Sequence, residues 1–417
     1  MVKHSLLVLL AVAFAVPAFA QDHWPEFRGP SADGSAGTAV LPAKIDESVI
    51  SWKTPIRGKG WSSPVIWGDQ IWVTTATPDG KKMWAICVSK QTGKIVHDLL
   101  LLENKEPAFC HDMNSYASPT PVVSEGRVWV HFGSYGTFCL DSQSGKIIWS
   151  RKDLPCDHWR GPASSPILYK GNLIVALDGH DDQYVVALDA ISGKTVWKRD
   201  RNIDYHIDDG DWKKAYGTGR VFQLEGKDVL VYPSASATVA YEAETGKELW
   251  KYYYGGMNVS ARPLLTASGL LIVTNGMGKM FAIEPKGNGD ITKQALRWET
   301  KKSVARKSSQ VIVEGNLYMA NEKGVISCLD VESGDSVWQK RVGGSFAASP
   351  VFANGLIYFF DMEGAIYVVR PGESFDLVSN TTLDDGFMAS PAVSGNAMFL
   401  RSRSHLFRIE SKGKDDN

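Results

Sequence analysis

CLDSQSGKIIW, residues 139–149, is the stretch that decides the fold, because the chain repeats it. Close copies are ALDAISGKTVW at 187–197, AYEAETGKELW at 240–250 and CLDVESGDSVW at 328–338, and a weaker copy, CVSKQTGKIVH, stands at 87–97. Between the copies, Gly, Asn and Asp separate short runs that are rich in β-branched and aromatic residues. Four short strands that recur about every 40 to 50 residues predict a β-propeller, whereas no stretch shows sustained helical periodicity.

The number of units and the closure of the ring follow from the first strand of each unit. Eight such strands begin near Ser62, Ser118, Ser164, Gly219, Ala261, Ser308, Ala348 and Ala389. The eighth unit ends after its third strand, at residues 406–410, and the N-terminal run ISWKTPI, residues 50–56, supplies a spare strand. Pairing the two leaves no open sheet edge. We therefore expect an all-β, eight-bladed β-propeller of four-stranded antiparallel blades, closed by the N-terminal strand.

The N-terminus and the net charge indicate where the protein works. A positive start at Lys3, an apolar run over residues 6–16 and the small-residue triplet AFA predict a signal peptide, residues 1–20, that is cleaved. The apolar run is too short to span a bilayer, and the first Cys is Cys87, so we expect neither membrane insertion nor a lipid anchor. A formal net charge of −1 offers no field for nucleic acid. We expect a monomeric bacterial protein, periplasmic or extracellular, in which residues 21–417 form one domain with a polar tail from about residue 411.

The repeat resembles the tryptophan-docking motif, A-x-D-x-x-T-G-x-x-x-W, of quinoprotein-type (PQQ-like) propellers. That family includes quinone-dependent alcohol dehydrogenases and a smaller, non-enzymatic relative that scaffolds outer-membrane protein assembly. WPEFRGP, residues 24–30, also resembles the opening of many exported bacterial proteins of this class. His97 stands where the motif has Trp, and Gly372 lacks the following Trp. The resemblance implies that one Trp of each blade packs against the next blade, here Trp52, Trp149, Trp197, Trp250, Trp298 and Trp338.

The five cysteines fall into two groups. Cys87, Cys139 and Cys328 stand at the motif position that Ala occupies in other copies, which predicts small buried core residues. Cys110 and Cys156 lie in successive connections between blades, at nearly equal distances before the next strand. Equivalent positions of adjacent blades are neighbours, and an exported protein permits oxidation, so we expect a Cys110–Cys156 disulfide.

Candidate site residues lie in two sets of loops that open on one face of a propeller, the connections between blades and the turns between second and third strands. Carboxylates crowd the loops of units three and four, and basic residues lie across the ring, so this face could orient a charged ligand. The candidates for a ligand face are His111, Asn114, Tyr116, His158, Trp159, Arg160, His180, Asp181, Asp182, His206, Trp212, Arg306 and Arg401.

Asp208, Asp209 and Asp211 admit three interpretations. They supply oxygens for a metal ion, with Ca²⁺ as the candidate, although the spacing is not that of an EF-hand. They also suit acid–base chemistry or a solvated polar loop. The quinone enzymes of the family carry two consecutive Cys against PQQ, and this sequence has no such pair and no C-x-x-C-H for haem. We therefore expect no PQQ and assign no catalytic residue.

Two functions remain open at this stage. The leading hypothesis is an exported binding or scaffold protein that holds a protein or polysaccharide partner of the cell envelope through the loop-rich face. The alternative is a quinone- or Ca²⁺-dependent oxidoreductase that uses the same face.

Overall fold

A computed structural model describes residues 22–383 and 385–411. The predicted signal peptide lies outside the described residues, as do the last six residues of the polar tail. Among the described residues, no helix is both long enough and apolar enough to cross a membrane.

The described chain forms eight antiparallel sheets that are the blades of a propeller, as expected. Blades one to four contain β2–β17, with β2–β5 in blade one and four further strands in each blade that follows. These strands are Val65–Trp67, Gln70–Ala76, Lys82–Ser89, Ile95–Glu103; Val122–Ser124, Arg127–His131, Thr137–Asp141, Ile147–Arg151; Ile167–Tyr169, Asn172–Asp178, Gln183–Asp189, Thr195–Asp200; Arg220–Leu224, Lys227–Pro233, Ala237–Glu242 and Glu248–Tyr253.

Blades five to eight contain β18–β20 and β22–β33 together with β1, which is Ile50–Pro55. The strand β21, Gly289–Asp290, comes from the insertion before Trp298 and adds a parallel fifth strand to blade four. The others are Leu264–Leu265, Leu271–Thr274, Met280–Ile283, Leu296–Thr300; Val311–Val313, Asn316–Ala320, Val325–Asp330, Ser336–Arg341; Val351–Ala353, Leu356–Phe360, Ala365–Arg370, Asp376–Thr382; Ala392–Ser394, Ala397–Arg401 and His405–Glu410. Within the described ranges, the chain also forms three short helices, Glu47–Val49, Gly210–Lys213 and Thr292–Ala295.

The ring is closed as the sequence predicts. β1 is the outermost strand of blade eight and pairs antiparallel with β33, where Trp52 lies opposite Arg408. The two chain ends thus share one sheet, and the last blade presents its complete set of four strands.

The motif Trp contacts the motif Gly of the next blade. Gly193 has a φ of +72°, and a Cβ placed there would lie 2.7 Å from the indole of Trp149. The Trp149 N–H donates to the carbonyl of Ala190, at 3.1 Å, in the same turn. The contact recurs between Trp52 and Gly93, Trp197 and Gly246, and Trp298 and Gly334. Gly is required twice here, for its backbone conformation and for the space that the indole occupies.

The remaining copies of the motif vary this contact. His97, in place of Trp, lies beside Gly145 of blade two together with Leu99. Trp338 donates its N–H to the carbonyl of Gly372, at 2.9 Å, although blade seven lacks the motif Trp. Trp250 is buried in the apolar layer that joins blades four and five.

The N-terminal segment, residues 24–37, crosses the ring axis, and we call it the axial segment. Trp24 pairs with Ile66 of blade one, and the carbonyl of Pro25 accepts from Val123 of blade two. Further along, Ala36 donates to the carbonyl of Phe352 in blade seven. The segment therefore closes the central channel at the level of the innermost strands.

Two buried arginines hold the axial segment in place. Arg28 donates to the carbonyls of Gln310 and Pro350, in blades six and seven. Arg262 of blade five donates to the carbonyl of Phe27 and to Glu26, with an N–O distance of 2.8 Å to the carboxylate. Because these donors are charged, each hydrogen bond is stronger than one between neutral groups.

Candidate functional site

The loop-rich face opens into a blind cavity on the ring axis, with a volume of about 530 Å³. Phe27 of the axial segment closes its floor. A concave site of this size suits a small ligand or the end of a longer one. Its polar and aromatic wall residues include Trp61, His111, Asn114, Arg160, Tyr216, Asn258, Arg306 and Lys307.

The lower wall of the cavity carries a ring of hydroxyls, which we call the hydroxyl ring. In seven blades, the residue two positions before the innermost strand is Ser or Thr, and its oxygen accepts the backbone N–H of the equivalent residue in the preceding blade, at 2.9 to 3.1 Å. Blade five has Arg262 instead, and its guanidinium donates to the carbonyl of Gly219 in blade four. The members are Ser63, Thr120, Ser165, Thr218, Ser309, Ser349 and Ser390.

The hydroxyl ring presents protons to the cavity. All seven side chains are at least 94% buried, and six of them line the cavity. Within residues 22–383 and 385–411, none of the seven donates its proton to a protein acceptor, while each already accepts an N–H. A hydroxyl that accepts in this way retains one proton to donate. The hydroxyl ring thus offers hydrogen-bond donors to a ligand that enters the cavity.

The upper wall is cationic. Arg160 and Arg306 line the cavity and pair with Asp211 and Glu322, at 2.7 and 3.2 Å. Lys307 also lines it, and burial lowers the pKa of Lys307 while the charge of Glu322 raises it. No carboxylate stands among the described residues that line the cavity, and none of these residues forms an ion pair with the Lys307 ammonium. The cavity is therefore positive although the chain is almost neutral.

A row of four rings, which we call the aromatic row, runs from the cavity wall onto the outer surface. It begins at His111, which lines the cavity, and continues through Phe109, Trp159 and His180, with centroids 6.5, 5.8 and 5.7 Å apart. Phe109 is 58% exposed and Trp159 43%. Trp159 has a φ of +52°, a conformation that is uncommon for a bulky residue and that occurs most often at functional sites.

Several predicted site residues meet at this cavity and its rim. His111, Asn114, Arg160 and Arg306 line the cavity, and Trp159 with His180 forms the outer part of the aromatic row. Others lie farther out on the same group of loops. Asp181 accepts from the Asp157 N–H, His206 pairs with Asp204, and Asp182 and Trp212 are exposed.

Three predicted residues are buried in the fold and do not line the cavity. Tyr116 donates to the carbonyl of Ala108 and packs in the apolar layer between blades one and two. His158 accepts the Ser134 N–H at 2.8 Å and is enclosed. Arg401 donates to the carbonyl of Ser62, and burial lowers its pKa to about 9. The loop positions predict which face of the propeller these segments lie on. They do not predict which of the side chains turn into the core.

The predicted metal site is not formed. Asp209 accepts from the Asp211 N–H at the start of the helix Gly210–Lys213, and Asp211 pairs with Arg160. Asp208 is exposed. Nowhere in the described part of the chain do three His, Cys, Asp or Glu side chains come together closely enough to hold a metal ion. Asp209 therefore caps the helix and Asp211 positions Arg160, and neither is free for a metal ion.

The predicted disulfide is also not formed, because the two cysteines lie in different surroundings. The Cys110 sulfur lies 3.7 Å from the carbonyl of Arg160, whereas Cys156 turns into the core and lies 3.7 Å from His158 Nδ1. Burial raises the pKa of Cys110 to about 11 and that of Cys156 to about 12, so both remain thiols at neutral pH. Cys87, Cys139 and Cys328 are fully buried.

We expect acid to destabilise the protein through buried histidines below the aromatic row. Burial lowers the pKa of His131 to about 4, against about 6.5 when unfolded. Between these values the unfolded state binds more protons, so the free energy of unfolding falls as the pH is lowered through this window. His131 alone should lower the free energy of unfolding by about 2 kcal/mol between pH 7 and pH 5. Urea unfolding of H131Q at both pH values should show a smaller decrease than the parent, and an equal decrease would contradict this.

Sequence inspection missed the hydroxyl ring, the axial segment and the wall residues Trp61, Tyr216 and Asn258. A signal for the ring was present, because Ser or Thr recurs before the first strand of most units. The recurrence alone is equally compatible with packing at the strand start, whereas the structure places six of the seven hydroxyls around the cavity.

Comparison with known proteins gives one family model and several distant relatives. The model described as outer membrane protein assembly factor BamB matches residues 181–416. BamB of Yersinia pestis is 23% identical over 368 residues, which cover 79% of this chain and 88% of that protein. Quinohemoprotein alcohol dehydrogenase ADH-IIG of Pseudomonas putida is 26% identical over 263 residues, or 54% of this chain and 32% of that one. BamB of Moranella endobia is 25% identical, and the match covers 48% of it. The chain thus spans less than half the length of these last two relatives.

Solved structures agree on the fold. BamB from Moraxella catarrhalis superposes with a TM-score of 0.60 at 13% identity, covering 86% of this chain and 99% of that one. Europium-containing methanol dehydrogenase superposes with a TM-score of 0.69, also at 13% identity, covering 91% and 89%. At such identities the likeness concerns the propeller alone.

Proposed function

Because this chain belongs to the family of outer membrane protein assembly factor BamB, we propose that it is a binding protein of the bacterial cell envelope that holds its partner on the loop-rich face. One end of the partner enters the axial cavity, and the part of the partner that remains outside lies along the aromatic row. The proposal rests mainly on one observation: His111 lines the cationic cavity and also contacts the exposed ring of Phe109.

Rigid support favours binding at this place. Trp159 precedes Arg160, whose guanidinium is fixed by Asp211, and Asn114 donates to the Arg160 carbonyl at 2.9 Å. Three different connections of the ring therefore hold the rim of the cavity, which reduces the entropy lost on binding. Exposed Trp and Arg beside a pocket are the residue types that contribute most to binding interfaces.

The residues do not fit a calcium-assisted quinone, which the oxidoreductases of this fold class suggest as an alternative. Ca²⁺ takes about six to eight oxygen ligands, largely from carboxylates. The described residues that line the cavity include none, and Asp211 and Glu322 point their charges at arginines. We derive no catalytic step for this site.

A photo-crosslinking experiment tests the proposal. With p-benzoylphenylalanine in place of Trp159, illumination of intact cells of the native host should convert the protein to a heavier adduct. Composition analysis of that adduct for peptides and for sugars identifies the partner as a protein or a polysaccharide. The same probe at Ile191, which is 62% exposed in the turn between β12 and β13 on the opposite face, is the matched control. Equal adducts at both positions, or none at 159, would refute the proposal.

A further inference from the structure

The lower wall of the cavity indicates the chemistry of the group that enters it. Six buried hydroxyls line it, and each already accepts a neighbour's N–H and still has a proton to donate. Such a ring suits a group that only accepts hydrogen bonds, and an ionised carboxylate is acceptor-only. A neutral sugar or an amide would also bring donors, and each hydroxyl of the ring already uses one of its two lone pairs on a backbone N–H.

The charges of the wall agree with an anion. Lys307 lines the cavity without an ion pair among the described residues, and Arg160 and Arg306 retain donors beyond those used by Asp211 and Glu322. Burial of a charge is costly unless an opposite charge and hydrogen bonds compensate it. This cavity offers both to a carboxylate and neither to a cation.

The shape indicates how the ligand continues. Phe27 closes the floor, so a chain enters by its end and does not pass through. Outside, the aromatic row extends from His111 to His180 through three ring contacts. Exposed rings in a line offer successive flat apolar contacts, which suits an extended ligand that is itself built of rings.

We propose that the axial cavity holds the acidic end of a uronic-acid saccharide, with its carboxylate on the hydroxyl ring and beside Lys307. The following sugar rings lie along Phe109 and Trp159. The inference rests on the proposed function and deepens it by naming the class of partner. A peptide made only of Asp or Glu meets the same charges but has no rings to match the aromatic row.

Calorimetric titration of the full chain tests this. Trigalacturonic acid should bind, and its trimethyl ester, which has the same rings without the charges, should bind at least tenfold more weakly. The K307M variant should weaken binding of the acid about tenfold, since each factor of ten corresponds to about 1.4 kcal/mol of lost ion pairing. K302M removes an equal charge from an exposed neighbour that does not line the cavity, and it should change the affinity less than twofold.

A second variant addresses the hydroxyl ring separately. Thr120 gives its hydroxyl to the cavity and accepts the Ser63 N–H at 3.0 Å. T120V should lose affinity for the acid, and T120S, which keeps the hydroxyl, should restore it. Thermal unfolding of both variants in the absence of ligand identifies any loss that comes from misfolding.

The outcomes separate the two proposals. Equal affinity for acid and ester, no binding of the acid, or equally tight binding of tri-glutamate overturns the assignment to an acidic saccharide. If crosslinks still form at position 159 in any of those cases, the proposed function stands and only the ligand class fails. If trigalacturonic acid binds but no adduct forms at 159, the partner-binding function fails.

Discussion

R201M is expected to lower the free energy of unfolding by about 3–5 kcal/mol, which is the cost of leaving one charge of a buried pair alone. Arg201 donates to both carboxylate oxygens of Asp178, at 2.8 and 2.7 Å, and each side chain is 1% exposed. The methionine cannot replace these bonds, and Asp178 is left charged in the interior of blade three. Urea unfolding at neutral pH, monitored by tryptophan fluorescence, measures the loss.

Two variants make this measurement interpretable. R199M removes an exposed arginine two residues earlier and should change stability by no more than about 0.5 kcal/mol. The double variant D178N/R201M has no lone charge and should recover part of the loss, because the pair is coupled. An R201M protein as stable as R199M would contradict the argument.

The same pair connects stability to the site. Asp178 ends β11 and Arg201 follows β13, so their ion pair lies directly beneath the loops of blade three. The carbonyl of Asp178 also accepts from Lys214, which is buried next to His158. Loss of the pair should therefore loosen the turn that carries His180, at the outer end of the aromatic row.

The fold was predictable because its signals are local. Each motif Gly, such as Gly193, and each motif Trp lie within eleven residues, and each repeat states the same contact again. Closure by the strand around Trp52 could also be inferred, since an incomplete last unit requires a partner. A propeller of this kind repeats a short sequence motif in most of its blades, so a single sequence is enough to reveal it.

The site was only partly predictable because its determinants are long-range. Arg28 reaches a carbonyl at Pro350, 322 residues away, and no local pattern announces that contact. His158 and Trp159 are adjacent in the sequence, yet one is enclosed and the other lies on the surface. The disulfide prediction used equal spacing from the next strand, which does not determine where Cys156 points.

The geometry of the docking turns leads to the second large effect, on G193A. A β-carbon at residue 193 would lie 2.7 Å from the indole of Trp149, closer than atoms pack, and the φ of +72° is unfavourable for Ala. Left-handed backbone costs about 1–2 kcal/mol for a residue with a side chain, and overpacking adds about 1–3 kcal/mol. We therefore expect a loss of about 2–5 kcal/mol in the free energy of unfolding, measured by urea unfolding.

G171A in the same blade separates the two contributions. Gly171 has a φ of +80°, but a Cβ there has no neighbour within 4 Å, so only the backbone cost of about 1–2 kcal/mol remains. The difference between the two variants is the steric cost of placing the methyl group against the indole of Trp149. If G193A and G171A lose equal stability, the indole yields without cost, and the motif Gly is required for its backbone conformation alone. A W149A/G193A double variant should then show no coupling, whereas a real clash makes the alanine at 193 less harmful once the indole is gone.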